Sequence, residues 1–237
     1  MMYGYGNMFS PSNRLFSGSG ASPLWNGLLA YYTADNTPND ALGTYNGTLV
    51  NGATYGTGII NNGFSLDGVN DYVDMGNVLD FDGSTPFSIS TWVYIDVLAT
   101  SSIISKSQQS PYPGYGLHFQ TDKCCYFTIG QEVGNWIYLR SGSALLTVGS
   151  WHNIIITYDG SKLASGVNIF INGISQTLVV ISDTFTGTSS TALPLEFGRR
   201  GTTWFLNGSI DETAFWNRVL TIDEVTELYN SGAGKQY

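Results

Sequence analysis

The sequence predicts an all-β protein, a sandwich of antiparallel strands with one short helix at the C-terminal end. Composition supplies the first observation: only 11% of residues are charged and 14% are aromatic, with 29 glycines, a balance that favours strands joined by tight turns. Second, turn dipeptides punctuate the chain at Asn46-Gly47, Asn51-Gly52, Asn62-Gly63, Asp67-Gly68, Asp82-Gly83, Asp159-Gly160, Asn172-Gly173 and Asn207-Gly208. Asn and Gly tolerate the positive φ that hairpin turns require. Third, apolar residues alternate with a period of two between those turns. At 237 residues the chain fits one large sandwich, able to bury roughly 70–75% of its unfolded surface.

Residues 1–23 are rich in Gly, Ser and aromatics without periodicity and read as an N-terminal arm, flexible or anchoring. The first eleven residues carry neither a basic start nor an apolar core, so no secretory signal is expected there. The sandwich is expected over 24–237. Leu28-Leu29-Ala30-Tyr31-Tyr32-Thr33 reads as its first strand, followed by a polar loop to Gly43. In Phe87–Ile95 the alternation is cleanest: Phe87, Ile89, Val93 and Ile95 share one face, with Trp92 and Tyr94 on the other. Residues 151–158 are apolar on both faces, as in a central strand covered on both sides. Val167–Ile174 alternates into Asn172-Gly173, a hairpin signal.

The helix follows a strand that carries Asp211 and Glu212, neighbours predicted to point to opposite faces. Thr221 at N-cap and Glu224 three residues on form a capping box, and Leu220 can staple to Val225. Ile222, Val225, Leu228 and Tyr229 form the expected apolar stripe, with Gly232 placed to stop the helix.

Eighteen acidic against nine basic residues give a net charge of −9, which argues against a nucleic-acid partner and suits cation binding. No apolar run approaches the roughly 20 residues of a membrane span. Cys124 and Cys125 are adjacent, so a disulfide between them is disfavoured; one buried and one partly exposed thiol is the expectation.

An ordered series of motifs resembles a known family. Gly27-Leu28-Leu29-Ala30-Tyr31-Tyr32, Asn39-Asp40-Ala41-Leu42-Gly43, Phe64-Ser65-Leu66-Asp67-Gly68 through Val73, and Phe87-Ser88-Ile89-Ser90-Thr91-Trp92-Val93 make up its first half. Trp151–Gly160, Ile169-Phe170-Ile171-Asn172-Gly173 and Gly208–Glu212 through Leu228-Tyr229 continue it. Over about residues 24–232 the chain resembles the laminin-G-like branch of the concanavalin A-like lectin/glucanase superfamily. The resemblance implies a jelly-roll β-sandwich of two antiparallel sheets, commonly with calcium near one edge, used mostly for binding glycans or proteins.

From that resemblance Asp211 is the expected calcium ligand, with Asp35 and Asp40 as companions, since calcium takes about six to eight oxygens. The alternative is that Asp211 and Glu212 accept backbone amides or pair with Arg218. The Glu-x-Asp-x-Glu triplet by which some superfamily members hydrolyse glycans is absent, and His118 and His152 have no partnered nucleophile motif. No catalytic residue is assigned. For ligand contact, the segment 105–116 offers Tyr112 and Tyr115, and Trp136 with the loop bearing Arg200 and Trp204 is a second candidate; ordinary rim aromatics are the plain alternative. Asn46-Gly47-Thr48 and Asn207-Gly208-Ser209 match the glycosylation sequon but read as turns.

These readings point to a non-catalytic, lectin-like recognition or adhesion module. It would act at a virion surface or otherwise outside the cell, displayed on an assembly such as a phage virion or homo-oligomer through residues 1–23. The rivals are a structural decoration protein without glycan specificity, and a fragment of a secreted bacterial glycan-binding protein. Deleting residues 1–23 separates anchoring from binding: assembly would fail while the isolated fold persists.

Overall fold

The structure, a computed structural model, describes residues 24–236. The expectations for residues 1–23 lie outside the described residues. Among the described residues sixteen strands follow in order, beginning with β1 (Leu28–Tyr32), β2 (Thr48–Val50), β3 (Thr54–Thr57), β4 (Asn62–Asp67), β5 (Tyr72–Asp74), β6 (Phe87–Ile95), β7 (Ser101–Lys106) and β8 (Gly114–Phe119). The second half holds β9 (Cys125–Glu132), β10 (Asn135–Ser141), β11 (Trp151–Tyr158), β12 (Val167–Ile171), β13 (Ile174–Ser175), β14 (Leu178–Asp183), β15 (Glu196–Phe197) and β16 (Asn207–Trp216). One α-helix among the described residues, α1 (Ile222–Tyr229), follows.

The strands form two antiparallel sheets. One runs β13-β12-β11-β6-β16-β4-β3 with β1 also on β16; the other runs β14-β10-β9-β8-β7-β15-β5-β2. Their facing side chains make a single core that includes Phe87, Ile89, Val93, Ile154 and Ile156 from the first sheet and Leu117, Phe119, Phe127, Ile129, Ile137 and Leu139 from the second. The predicted inward face of β6 is fully buried. The β12–β13 hairpin turns at Asn172 (φ 52°) and Gly173 (φ 75°), the two positive φ values a primed turn needs.

Two dipeptides expected as turns lie inside strands instead: Asn62-Gly63 opens β4 and Asn207-Gly208 opens β16. At Gly208 any Cβ would overlap the Tyr94 carbonyl of the neighbouring strand, so this glycine permits close backbone approach.

The capping box at Thr221 is formed: its hydroxyl accepts from Glu224 N–H, and the Glu224 carboxylate accepts from Thr221 N–H. The fully buried Glu224 is neutralised by Arg218, which grips it with Nη1 at 2.8 Å and Nη2 at 2.6 Å. Arg218 is thereby committed to the helix and not to Asp211 or Glu212. Ile222 is 57% exposed, so the buried stripe is Leu220, Val225 and Leu228. The helix stops at Asn230 (φ 47°), two residues before Gly232, because Asn also accepts the left-handed region.

With Leu24, Tyr31, Ile155, Phe170, Ala214 and Trp216, the α1 stripe builds a second apolar cluster on the outer face of the first sheet. The outer face of the second sheet has no such helix among the described residues. Cys124 and Cys125 are both buried and free; Cys124 is covered where partial exposure was expected, as Arg140 Nη1 lies 3.1 Å from its sulfur.

Candidate functional site

The carboxylates expected to share a calcium ion do not form one set. Asp40 is buried, and its oxygens already serve four backbone amides: Oδ1 accepts from Tyr31 (2.8 Å) and Leu42 (3.0 Å), Oδ2 from Thr44 (3.1 Å) and Tyr45 (3.3 Å). It holds the loop after β1 in shape. Asp35 accepts from Asn62 N–H and from the amides of Asn61 and Gln236.

Asp211 lies on β16, where one extra residue against β6 makes a bulge. Its oxygens accept from Ile60 N–H at 3.1 Å and Glu212 N–H at 2.8 Å. The bulge also keeps both carboxylates buried, where simple alternation would separate them: Glu212, at φ 46°, accepts from the Tyr31 hydroxyl and from Gln236 Nε2. Burial pushes Asp211 up to about 8 and Glu212 up to about 7. Backbone amides use oxygens that a metal would need, and among the described residues no three His, Cys, Asp or Glu side chains are arranged to hold an ion. The donor set therefore does not fit calcium as the sequence suggested.

The other expected set does converge, with one exception. Tyr115 is 1% exposed, points into the core beside Phe81 and Phe87, and donates its hydroxyl to Leu79 O at 2.9 Å. It cannot contact a ligand, because period-two alternation turns it inward on β8. Tyr112, Trp136, Arg200 and Trp204 meet on the outer face of the second sheet, which no helix covers among the described residues. The Tyr112 and Trp136 rings lie 5.5 Å apart, and Arg200 sits over Tyr112 at 4.9 Å and over Trp204 at 5.4 Å.

Strand register explains how this face is built. Tyr138, Thr128, Gly116 and Ser105 form one row across β10, β9, β8 and β7; Arg140, Tyr126, His118 and Ser102 form the next. The small residues Gly116 and Thr128 make a low floor, and Gly130 clears the space that Trp136 occupies. Aromatic contacts then run across the face: Trp136 to Tyr138 at 5.1 Å, Tyr138 to Tyr126 at 5.7 Å, Tyr126 to His118 at 5.1 Å and His118 to Trp204 at 5.0 Å. Loops 107–113 and 199–204 close over one end, joined by the Gln109 amide on the Thr203 hydroxyl. Tyr112 (φ 67°) and Trp204 (φ 53°) are bulky residues in the left-handed region, a strain that accumulates at functional positions.

Tyr126, Tyr138 and His118 belong to this site and are absent from the sequence-derived set. Their signal is the alternation itself: Trp136 and Tyr138 are two apart, as are Gly116 and His118, which places each pair on one face. His118 is held neutral, its pKa lowered by burial and by the Arg200 charge. His152 lies elsewhere, its Nε2 accepting from Thr147 N–H at 3.0 Å.

Solved structures resemble this fold. Domain 4 of the extracellular GH43 arabinanase AbnA from Geobacillus stearothermophilus, in complex with arabinotriose, aligns over 88% of this chain and 98% of its own, at 21% identity and a TM-score of 0.60. The binding domain of Paraclostridial Mosquitocidal Protein 1 aligns over 87% and 52%, at 17% identity and 0.67. The botulinum neurotoxin serotype D ligand-binding domain, in complex with N-acetylneuraminic acid, aligns over 86% and 50%, at 16% identity and 0.65. The chain thus spans about half of each toxin domain, and at these identities the likeness is one of fold. No curated protein sequence matches the chain. The laminin-G-like profile of the concanavalin A-like lectin/glucanase superfamily matches residues 67–226, about two thirds of the length, and the chain belongs to that superfamily.

Proposed function

We propose that the protein is a non-catalytic, extracellular glycan-recognition module whose binding face is the outer surface of the second sheet. One observation carries this reading: Tyr112, Trp136, Tyr138, Tyr126, His118 and Trp204, drawn from three strands and two loops, form a continuous ring network on the sheet face that no helix covers among the described residues. Sugar rings present apolar C–H faces that stack on aromatic side chains, and the flanking hydroxyls and amides supply orientation. The arabinotriose and N-acetylneuraminic acid complexes of the structural neighbours support the reading. The buried Asp211 and Glu212 lie on the other sheet, bonded to Ile60, Tyr31 and Gln236, away from this face.

The test is a glycan array followed by titration of hits monitored through tryptophan fluorescence. Trp136→Ala removes a half-buried stacking ring and is expected to weaken binding about tenfold, roughly 1.4 kcal/mol, without altering the fold. A native chain that binds nothing on the array refutes the reading. That outcome would favour an interaction protein, for which the edge strand β14, with Val180 and Ile181 half exposed, is the place of contact.

A further inference from the structure

The floor of the aromatic face contains polar groups that the folded chain leaves without partners. Arg200 is 2% exposed; its Nη2 donates to Ser107 Oγ at 3.0 Å, and its Nε is buried with no bond. The ion pairs among the described residues are made by Arg199, Arg218 and Lys235, so no carboxylate answers the Arg200 charge. Beside it His118 is 1% exposed with both ring nitrogens unbonded, and Ser102 Oγ, opposite His118 in register, is also buried and unbonded. Three adjacent positions on one sheet face thus hold unused hydrogen-bonding capacity.

A buried guanidinium without a counter-charge is costly, and the flanking rings of Tyr112 and Trp204 offset that cost only in part. Burial brings Arg200 down to about 10, so it remains charged at neutral pH. What satisfies such a group best is a planar anion: the guanidinium fork matches a carboxylate through two parallel N–H···O bonds. The rings that cover Arg200 belong to the two loops that close this end of the face, and both sit at left-handed backbone positions. A ligand stacked on Tyr112 or Trp204 would therefore carry its substituents to the guanidinium.

We propose that this face selects acidic glycans, seating a sugar carboxylate on the Arg200 guanidinium between Tyr112 and Trp204 while a neighbouring sugar ring lies on Trp136 and Tyr138. The inference rests on the glycan-binding reading and names its ligand class. The shared chemistry is a carboxylate on a sugar ring, and two sources of it, uronic and sialic acids, are separate arms of the test.

The experiment uses the full chain and matched ligands: oligogalacturonate against its methyl ester, and sialyllactose against lactose. The expected result is that at least one acid binds ten times or more tightly than its neutral counterpart. Arg200→Gln should then remove that preference, bringing each acid to within about twofold of its neutral counterpart measured on the same variant, and Arg200→Lys should restore part of it. Should the Arg200 variants fail to fold, the matched ligands on the unaltered chain decide the matter. Equal affinity within each pair overturns the acidic subsite and leaves the aromatic platform standing. Binding of neutral glycans alone has the same meaning, and no binding to any glycan overturns both readings.

Discussion

Asp40→Asn tests whether this carboxylate is a backbone acceptor or a metal ligand. In the native chain Asp40 takes four amide protons, two on each oxygen, at 2.8–3.3 Å. The substitution replaces one oxygen with an NH2 group that faces two N–H donors, so two amides lose their acceptor. A buried donor left unpaired costs about 1–3 kcal/mol, but Leu42 and Thr44 lie at an exposed part of the loop where water can answer them. The expected loss is therefore near the lower end, about 2 kcal/mol in total, or roughly 4–8 °C in Tm for a chain of this size. Urea denaturation followed by tryptophan fluorescence reads the first quantity and calorimetry the second. The same loss should be found in millimolar calcium and in chelator, and neither should shift the native Tm. A loss below about 0.5 kcal/mol would refute the amide account. So would a calcium-induced rise in native Tm that disappears in the variant, which would make Asp40 a ligand.

Two further outcomes follow from the same geometry. Tyr115→Phe removes a buried hydroxyl bonded to Leu79 O and should cost about 1–2 kcal/mol of stability while leaving glycan affinity within twofold; a selective loss of binding would place Tyr115 on the ligand face. Asp211 and Glu212, pushed by burial to about 8 and about 7, hold protons in the folded chain at pH values where the unfolded chain has released them, so stability falls as pH rises through that window. Below about pH 6.5 the buried His118 and His152, whose pKa values are lowered, act in the opposite direction, since the unfolded chain binds their protons first. The net expectation is a loss of about 1–2 kcal/mol between roughly pH 6.5 and 8. Asp211→Asn should flatten that decline, and a rise in stability over the same interval would contradict it.

The sequence by itself determined the elements whose information is local. The capping box at Thr221 and Glu224, the Asn172-Gly173 turn and the alternation of Phe87–Ile95 each depend on residues within a few positions of one another, and each is formed. The two-sheet architecture was legible through the ordered motifs of the superfamily. What only the tertiary structure decided was which distant residues meet. Tyr112, Trp136, Arg200 and Trp204 are spread over some ninety positions and are joined by strand register, which also brings Tyr126, Tyr138 and His118 beside them. Tyr115, only three residues from Tyr112, is turned into the core by the pleat of β8, and composition carries no record of that difference. For Asp211 the sequence left calcium and backbone amides as alternatives, and which amides it and Asp40 accept, from Tyr31 to Ile60 and at Glu212, is decided only by the fold. The physical reason is the same throughout: a side chain's chemistry is set by what burial and hydrogen bonding leave available, and those partners come from remote parts of the chain.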